Sequence, residues 1–411
     1  MIPRMKRTLK ILGTVVLVLG VAVAGFATYV AVTGIPRYEP GPLSTKVEVT
    51  PEKVARGRKY AGLLCAGCHM DPTTRRLTGK RMVDMPAEFG VAYSKNITQH
   101  PVKGIGSWTD GEILYLLRTG VDRGGQYIPP YMVKLPLLSD DDLESIVAFL
   151  RSDDPLVAPL AVDPPGRTRP SFLTKLLSHV TFKPLPFPRQ RITAPPVTDK
   201  VAYGRYLSSS LGCFACHSAD FKTMNELEPE RSAGYMAGGN PLLDQNGDVV
   251  RSANVTFDEE TGIGKWSEAD FTRALRTGVR PDRRVLLYPM EPMPELTEED
   301  AAALYAYLRT VPKLSNPVPR PERRALAADA SEGKKTYYRY GCVSCHGESG
   351  VGLADLRQAA QHYPADEQLE AWIKNPASFK PGTKMPAWEG VIQPDEYASL
   401  IAYVKELGRK N

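Results

Sequence analysis

The 411-residue sequence is poor in cysteine and histidine, with six of each, and it lacks a large excess of either charge. Its 52 Lys and Arg residues against 46 Asp and Glu give a net charge of +6. Four of the basic residues, Arg4, Lys6, Arg7 and Lys10, lie in the first ten positions, so the rest of the chain is nearly balanced. This argues against a nucleic-acid-binding protein, which would present a basic face to phosphates.

The few cysteines all belong to one pattern, Cys-x-x-Cys-His, which occurs three times. A disulfide within each pair would leave the following His unexplained, and a zinc site would require further Cys or His partners. The pattern is typical of covalent haem c attachment, in which both thiols add to the porphyrin vinyl groups and the His becomes the proximal iron ligand. We therefore expect three haem c groups and no catalytic residue, with attachment residues Cys65, Cys68, His69, Cys213, Cys216, His217, Cys342, Cys345 and His346.

The first two motifs head an internal repeat. Asn-Ile-Thr at residues 96–98 recurs as Asn-Val-Thr at 254–256, and Gly-Ile-Gly-x-Trp at 104–108 recurs at 262–266, both 158 positions later. Leu-Arg-Thr-Gly-Val at 117–121 keeps the same offset, whereas the second repeat has ten additional residues upstream. Ser or Thr followed by acidic residues predicts capping boxes at Ser139 and Thr297. The third motif shares the entry helix but lacks the other signatures.

Methionine in a proline-rich loop is a good candidate for the second axial iron ligand, because a thioether there gives a closed electron-transfer site. Met132 and Met290 coincide at the 158-residue offset, and Met385 lies in a Pro-Gly-Thr-Lys-Met-Pro frame. Met293, which directly precedes a proline, stays open as the alternative to Met290. Together with His69, His217 and His346, these methionines form the expected set of metal ligands.

The remaining histidines and two repeated tryptophans receive weaker interpretations. His100 maps onto an Asp in the second repeat, and His179 lies in a proline-rich linker, so neither is expected to bind iron. We also expect no ligand role for His362. Trp108 and Trp266 are interpreted as core residues that pack on the haem edge, with an electron-conducting role as the alternative.

Residues 11–32 form the sequence's uncharged, mostly apolar run, long enough as a helix of about 33 Å to cross a bilayer. The basic residues before it predict a cytoplasmic N-terminus and export of the rest. A cleaved signal peptide is the alternative, since Ala-Val-Ala at residues 22–24 resembles a cleavage site. The apolar run continues past that site, which favours a single-pass anchor in the bacterial cytoplasmic membrane with haem domains in the periplasm.

These observations predict an all-α chain with three small haem domains in tandem after an N-terminal transmembrane helix, and the resemblance described next implies that these domains are cytochrome c-like. The expected divisions are a basic head at 1–10, the anchor at 11–33, domain 1 at 45–152, a Pro-rich linker at 153–196, domain 2 at 197–311, a second linker at 312–327 and domain 3 at 328–411.

The repeated motifs resemble those of triheme class I cytochromes c, in particular the cytochrome c subunits of membrane-bound alcohol, gluconate and sorbitol dehydrogenases. The resemblance rests on the Asn-x-Thr, Gly-Ile-Gly-x-Trp and Leu-Arg-Thr-Gly-Val signatures, the Pro-framed Met and the linker run Phe-Lys-Pro-Leu-Pro-Phe at 182–187, and it covers roughly residues 50–311. The third domain departs from it, and its Gly-Thr-Lys-Met-Pro resembles single-haem cytochromes c. The N-terminal position of the anchor is a further departure.

The expected function is single-electron relay between a dehydrogenase or quinol-oxidising donor and a terminal oxidase or soluble acceptor in a respiratory chain. Partners would then be the membrane and redox proteins, and the chain is expected to be an electron-transfer protein or subunit rather than an enzyme. The rival interpretation is a haem enzyme, a peroxidase or a sulfur-compound oxidising cytochrome, with one open or unusually ligated haem. A non-haem metal-binding or structural protein is the third.

Overall fold

The computed structural model describes residues 2–41, 44–244, 246–319, 326–352, 354–380 and 383–409, with side chains described from residue 7 onward. It begins with helix α1, Ile2–Thr33, of which Arg7–Thr33 is long and apolar enough to cross a membrane. Only 6% of that apolar window is buried inside the protein, so the helix is not a core element. Parts of the predicted second linker (320–325) and of the third methionine frame (Pro381 and Gly382) lie outside the described residues.

Two similar helical units follow the first helix. The first unit contains α2 Pro51–Leu64, α3 Ala66–His69, α4 Asp110–Thr119 and α5 Asp140–Leu150. A segment with strand pair β1 Gly90–Val91 and β2 Arg169–Pro170 and helix α6 Phe172–Val180 packs along it. The second unit contains α7 Lys200–Ser210, α8 Cys213–His217, α9 Glu268–Thr277 and α10 Glu298–Leu308, and the antiparallel ribbon β3 Pro241–Leu243 and β4 Val249–Arg251. That ribbon lies in the stretch that carries the ten additional residues.

The third unit contains α11 Glu332–Arg339, α12 Cys342–His346, α13 Ala359–His362, α14 Asp366–Lys374, α15 Pro376–Phe379 and α16 Tyr397–Leu407. Short 3-10 turns lie at Ala87–Phe89, Phe221–Thr223, Pro229–Arg231 and Pro394–Glu396. The chain is thus helix-rich as predicted, and the two short β-ribbons are the elements that the all-α prediction did not include.

A glycine lets the first and last helix of each unit touch backbone to backbone. A Cβ on Gly57 of α2 would lie 1.8 Å from the Ser145 carbonyl oxygen of α5. The corresponding distances are 1.9 Å for Gly204 to Ala303 and 2.0 Å for Gly333, which faces α16. Since no real Cβ fits at such distances, the same close helix contact defines all three units.

The capping prediction is correct at Thr297, whose side chain and Asp300 form a complete capping box. At Ser139 it is wrong in part: the Ser139 side chain caps the Asp142 amide of α5, but the reciprocal bond from Asp142 is missing. The Asp142 carboxylate instead accepts hydrogen bonds from Tyr60, at 3.0 Å, and from Tyr206 of the second unit. A tertiary contact has therefore displaced the local one.

The first two units contact each other through a reciprocal pair of carboxylates. Tyr206 of α7 donates to Asp142 of the first unit, and Lys59 of α2 donates to Asp300 of the second. Asp142 and Asp300 are equivalent in the repeat, and both are buried, at 3% exposure. One continuous apolar core runs through both units, whereas the third unit has a separate core, which Val285 of the second unit joins.

Candidate haem sites

Each Cys-x-x-Cys-His motif lies on a short helix directly after the first long helix of its unit. Gly212 and Gly341, with φ of 70° and 79°, make the turn into α8 and α12. Such left-handed backbone favours glycine. The first unit has no such glycine, and Cys65 ends α2 with φ of −111°.

The six cysteines are free thiols. Burial raises the pKa of Cys65 and Cys342 to about 12 and that of the other four to about 11. Each thiol is therefore protonated at neutral pH. Within the described residues, no group of three or more His, Cys, Asp or Glu side chains could hold a metal ion, so nothing in that part favours the zinc alternative.

The three motif histidines are oriented by backbone carbonyls. Nδ1 of His69 lies 2.7 Å from the Lys95 oxygen and Nδ1 of His217 lies 2.8 Å from the Ala253 oxygen. In the third unit the bond from His346 to Ala354 is longer, at 3.4 Å. Burial lowers the pKa of all three imidazoles, which favours the neutral form. With Nδ1 donating, Nε2 keeps a lone pair for a metal.

The Asn-x-Thr signature explains how the first two carbonyls are held. The Asn96 side-chain oxygen accepts bonds of 2.9 and 2.7 Å from the Thr98 amide and hydroxyl, and Asn254 repeats both bonds with Thr256. The Gly-x-Gly signature packs against this turn: a Cβ on Gly104 would lie 2.1 Å from the Thr98 oxygen. Together, the two signatures hold the carbonyl of the residue just before the Asn in position to accept a hydrogen bond from the motif histidine.

The methionine loops of the first two units each form one hydrogen bond from a loop amide to a helix carbonyl. In the second unit, this bond involves Met293 and not Met290. In the first unit the Leu135 amide donates to the Leu117 oxygen of α4 at 2.7 Å. In the second, the Met293 amide donates to the Leu275 oxygen of α9 at 2.8 Å, which makes Met293 the counterpart of the core residue Leu135 rather than of Met132.

The third loop has the same register. The Trp388 amide donates to the Ile373 oxygen of α14 at 3.4 Å and to the following oxygen at 3.1 Å. Trp388, three residues after Met385, is a core residue, as Leu135 is. Met132, Met290 and Met385 thus occupy one position, three residues before the residue bonded to the helix.

A cavity of about 710 Å³ beside the second motif tests whether a porphyrin fits this arrangement. Cys216 and His217 line one part of it and Met290 lines another, and its other walls include Trp266 and Phe271. Trp266 therefore faces this space, in agreement with packing on a haem edge. One motif cysteine, an imidazole, a thioether and largely apolar walls thus line this space, and all of them belong to the donor set and surroundings that haem c requires.

The same cavity reaches the third unit, where Tyr340 and Trp388 form part of its wall. Their rings are 6.2 Å apart in an edge-to-face arrangement. Leu287, from the loop before Met290, lies in the cavity wall and packs against the core of the third unit. The second site and the third unit therefore share a wall.

Three charged side chains and one tyrosine meet beside the motifs, in what we call the junction: Asp84, Tyr288, Glu291 and Lys384. The Tyr288 hydroxyl donates to Asp84 at 2.7 Å, and the Lys384 ammonium lies 3.3 Å from Glu291 and 3.2 Å from the Gly62 oxygen.

The junction is close to one cysteine of every motif. After burial, Asp84 is the largest contributor that raises the pKa of Cys68 and of Cys216. Glu291 has the same effect on Cys345, after burial. Charged side chains from all three units therefore lie near the motifs, a juxtaposition that sequence spacing did not reveal.

The histidines that were not expected to bind iron have other contacts. Nδ1 of His100 accepts from the Val102 and Lys103 amides, and His179 contacts the end of α1. His362 ends α13 and packs edge to face on Tyr363.

Two family models match the chain. The model described as "Cytochrome c" matches residues 201–312, and the model described as "Cytochrome C oxidase, cbb3-type, subunit III" matches residues 328–404. The gluconate 2-dehydrogenase cytochrome c subunit of Pantoea cypripedii is 26% identical over 318 residues, covering 73% of this chain and 70% of that protein. The alcohol dehydrogenase (quinone) cytochrome c subunit of Gluconacetobacter polyoxogenes is 25% identical over 366 residues, with 84% and 74% covered.

The fructose dehydrogenase cytochrome subunit of Gluconobacter japonicus is 28% identical over 326 residues, covering 71% of this chain and 63% of that protein. The chain therefore contains cytochrome c domains, which implies covalently bound haem c and electron transport, and it is homologous to cytochrome c subunits of dehydrogenases. The predicted resemblance to the alcohol and gluconate dehydrogenase subunits is confirmed.

Proposed function

We propose that this chain is a three-haem electron relay, the membrane-anchored cytochrome c subunit of a dehydrogenase complex. The observation that carries the proposal is the frame common to all three units. In each, a motif histidine donates through Nδ1 to a carbonyl, and a methionine lies three residues before the amide that bonds to the preceding helix.

In this proposal the six motif cysteines attach the haems, and the iron ligands are His69 with Met132, His217 with Met290 and His346 with Met385. Haem c supplies a one-electron iron couple, and the protein supplies ligands, burial and spacing. A thioether opposite an imidazole closes the iron to exogenous ligands and raises the reduction potential. We favour Met290 over its alternative Met293, because the loop register makes Met293 the counterpart of the core residue Leu135.

The junction supports relay among the sites rather than three independent ones. Asp84, Glu291 and Lys384 come from different units, and together they lie beside one cysteine of each motif. The shared wall between the second site and the third unit gives a second short connection. Electrons entering any one site would thus have adjacent sites within the same protein.

Helix α1 is proposed as a single-pass anchor in the bacterial cytoplasmic membrane, with the haem units in the periplasm. The donor is proposed to be a dehydrogenase subunit, in line with the relatives, and the acceptor a terminal oxidase or a soluble redox protein. The third unit matches a different family model from the second, which supports a different partner at that end.

Carbon monoxide binding to the reduced, purified chain tests relay against enzyme. Three closed sites predict no rapid change in the absorption spectrum when carbon monoxide is added. Rapid binding at one haem would show an open iron and favour the haem-enzyme interpretation. The matched positive control is Met385→Ala, which should open one iron and bind carbon monoxide at about one third of the haem content.

A further inference from the structure

Helix α6 exposes its apolar face and buries its polar face, which is the reverse of the usual arrangement. With 3.6 residues per turn, its five large apolar residues fall on one arc of about 140°. Three of them, Phe172, Leu173 and Val180, are exposed, at 47%, 38% and 61%. The opposite face is polar and buried, since Thr174 and Ser178 are 1% and 0% exposed. A helix that packs on a protein core normally buries its apolar side.

The buried polar face is fixed to the first unit by hydrogen bonds. The Thr174 hydroxyl donates to the Phe89 oxygen at 2.7 Å, and the Ser171 hydroxyl, at the N-cap of α6, donates to the Glu88 oxygen at 2.6 Å. Pairing of β1 with β2 holds the preceding residues. The outward direction of the apolar arc is therefore set by specific contacts.

The remaining side of α6 contacts the end of helix α1. The His179 ring lies 5.4 Å from the Tyr29 ring, and its Nε2 is 2.9 Å from the Gly34 oxygen. The Lys175 ammonium lies 3.5 Å from the Ala31 oxygen. The inverted helix thus lies where the apolar helix ends, at the level where a bilayer surface would be.

The chain that leaves α1 is also attached to the first unit. The Tyr38 amide donates to the Gly125 oxygen at 2.8 Å, and Arg37 forms a β-bridge with Gln126. Charge in the α6 segment favours an anionic surface: residues 164–190 contain no Asp or Glu and include Arg167, Arg169, Lys175, Lys183 and Arg189.

We propose that α6 lies in the membrane interface, with Phe172, Leu173 and Val180 among the lipids and the basic residues of its segment near anionic headgroups. Apolar side chains on one face and basic residues around them are the composition of an interfacial helix. This inference rests on the proposed function, because it requires that α1 spans the membrane. Its consequence is a fixed orientation with the first haem unit against the membrane.

The test uses the full-length, haem-loaded protein in vesicles that contain one quarter anionic phospholipid. Single cysteines replace Leu173, Val201 or Leu17, and each variant reacts with a membrane-impermeant maleimide. All natural cysteines are expected to be consumed by haem attachment. Val201 is the matched control, because it is an exposed apolar helix residue, at 43%, on α7 of the second unit. Leu17, in α1, reports the anchor itself.

We expect Leu173→Cys to react roughly tenfold more slowly than Val201→Cys, since lipid suppresses thiolate formation. Equal rates for Leu173→Cys and Val201→Cys, with Leu17→Cys protected, would overturn the interfacial helix and leave the anchor intact. Rapid reaction at all three positions would overturn both the anchor and the interfacial helix. An unchanged c-type absorption spectrum verifies that each variant is folded.

Discussion

The first two units and the third unit position a motif histidine in two different ways. In the pair, the Asn-x-Thr turn and the Gly-x-Gly segment hold the carbonyl, and the bonds are 2.7 and 2.8 Å. The third unit has neither signature and uses Ala354, eight residues after His346, at 3.4 Å. The close helix contact at glycine and the backbone bond after the methionine are common to all three. The comparison therefore distinguishes contacts found at all three motifs from the Asn-x-Thr and Gly-x-Gly contacts that only the first two units have.

The largest effect is expected from substitutions that disrupt the close helix contact at glycine, in the matched pair or in the third unit. Gly204→Ala would place a methyl carbon 1.9 Å from the Ala303 oxygen, and Gly333→Ala would place one 2.0 Å from the Ser399 oxygen. Overpacking of this kind typically costs about 1–3 kcal/mol, and occasionally more. Each variant should lose the haem of its own unit, measured as haem content per chain and by thermal unfolding.

Gly124→Ala is the control for these two substitutions, because the nearest atom is a flexible Asp122 side-chain oxygen at 3.3 Å. It should retain full haem content. If Gly333→Ala also kept its haem and its unfolding temperature, the third unit would not share the helix contact of the pair.

Loss of an axial ligand comes next. Met290→Ala should remove about one third of the methionine-to-iron charge-transfer absorption and lower the potential of one haem. Met293→Leu should change neither, because Met293 corresponds to the core residue Leu135. Redox titration with absorption detection measures both effects. The reverse result, with Met293→Leu losing the band, would return Met293 to the ligand set.

The pair also has a pH-sensitive contact between Lys59 of the first unit and Asp300 of the second. Burial raises the pKa of Asp300, but hydrogen bonds from Lys59 and from the Thr297 amide outweigh it, and the net pKa lies below the ordinary 3.8. A lowered pKa stabilises the folded protein above pH 3.8, and this contribution is lost as the pH falls through the folded-state pKa. Asp300→Asn should therefore cost about 1–3 kcal/mol at neutral pH.

Denaturant unfolding followed from pH 7 to pH 3 measures this contribution. The difference in unfolding free energy between wild type and Asp300→Asn should shrink toward the acidic end. Asp366→Asn is the control, since that carboxylate is 70% exposed in its ion pair on the third unit and should have little effect. A constant difference across the range would contradict the assignment.

The smallest expected effect is at the junction. Lys384 and Glu291 are partly exposed, at 28% and 15%, so Lys384→Gln should cost only about 0.2–1 kcal/mol of stability. Removing the positive charge leaves Glu291 uncompensated near the motifs and should lower haem potentials in more than one unit. Lys335→Gln, which breaks the ion pair with Glu332 on α11, is the control. A shift confined to one haem would contradict a position of the junction near more than one motif.

The sequence was sufficient for features with local causes. The predicted caps at Ser139 and Thr297 agree with the observed starts of α5 and α10. The 158-residue offset paired Met132 with Met290. It could not place Met293, because that assignment depends on a hydrogen bond to a helix distant in sequence.

Features that depend on packing between units were not predictable from spacing. Asp142 does not form the expected capping bond, because its carboxylate accepts hydrogen bonds from Tyr60 and Tyr206 on other helices. The junction joins residues as far apart as Gly62 and Lys384. The inverted face of α6 could be read from the residue pattern only once its buried side was known, since Thr174 and Ser178 alone do not show which face is covered.

Haem stoichiometry and ligation in the full-length chain test the central claim most directly. Intact mass gives the number of covalent haems, and near-infrared magnetic circular dichroism identifies the axial ligands of the oxidised iron. The relay predicts three haems per chain, all low-spin with histidine and methionine ligands. Fewer than three haems, or a high-spin or bis-histidine iron at any site, would contradict it.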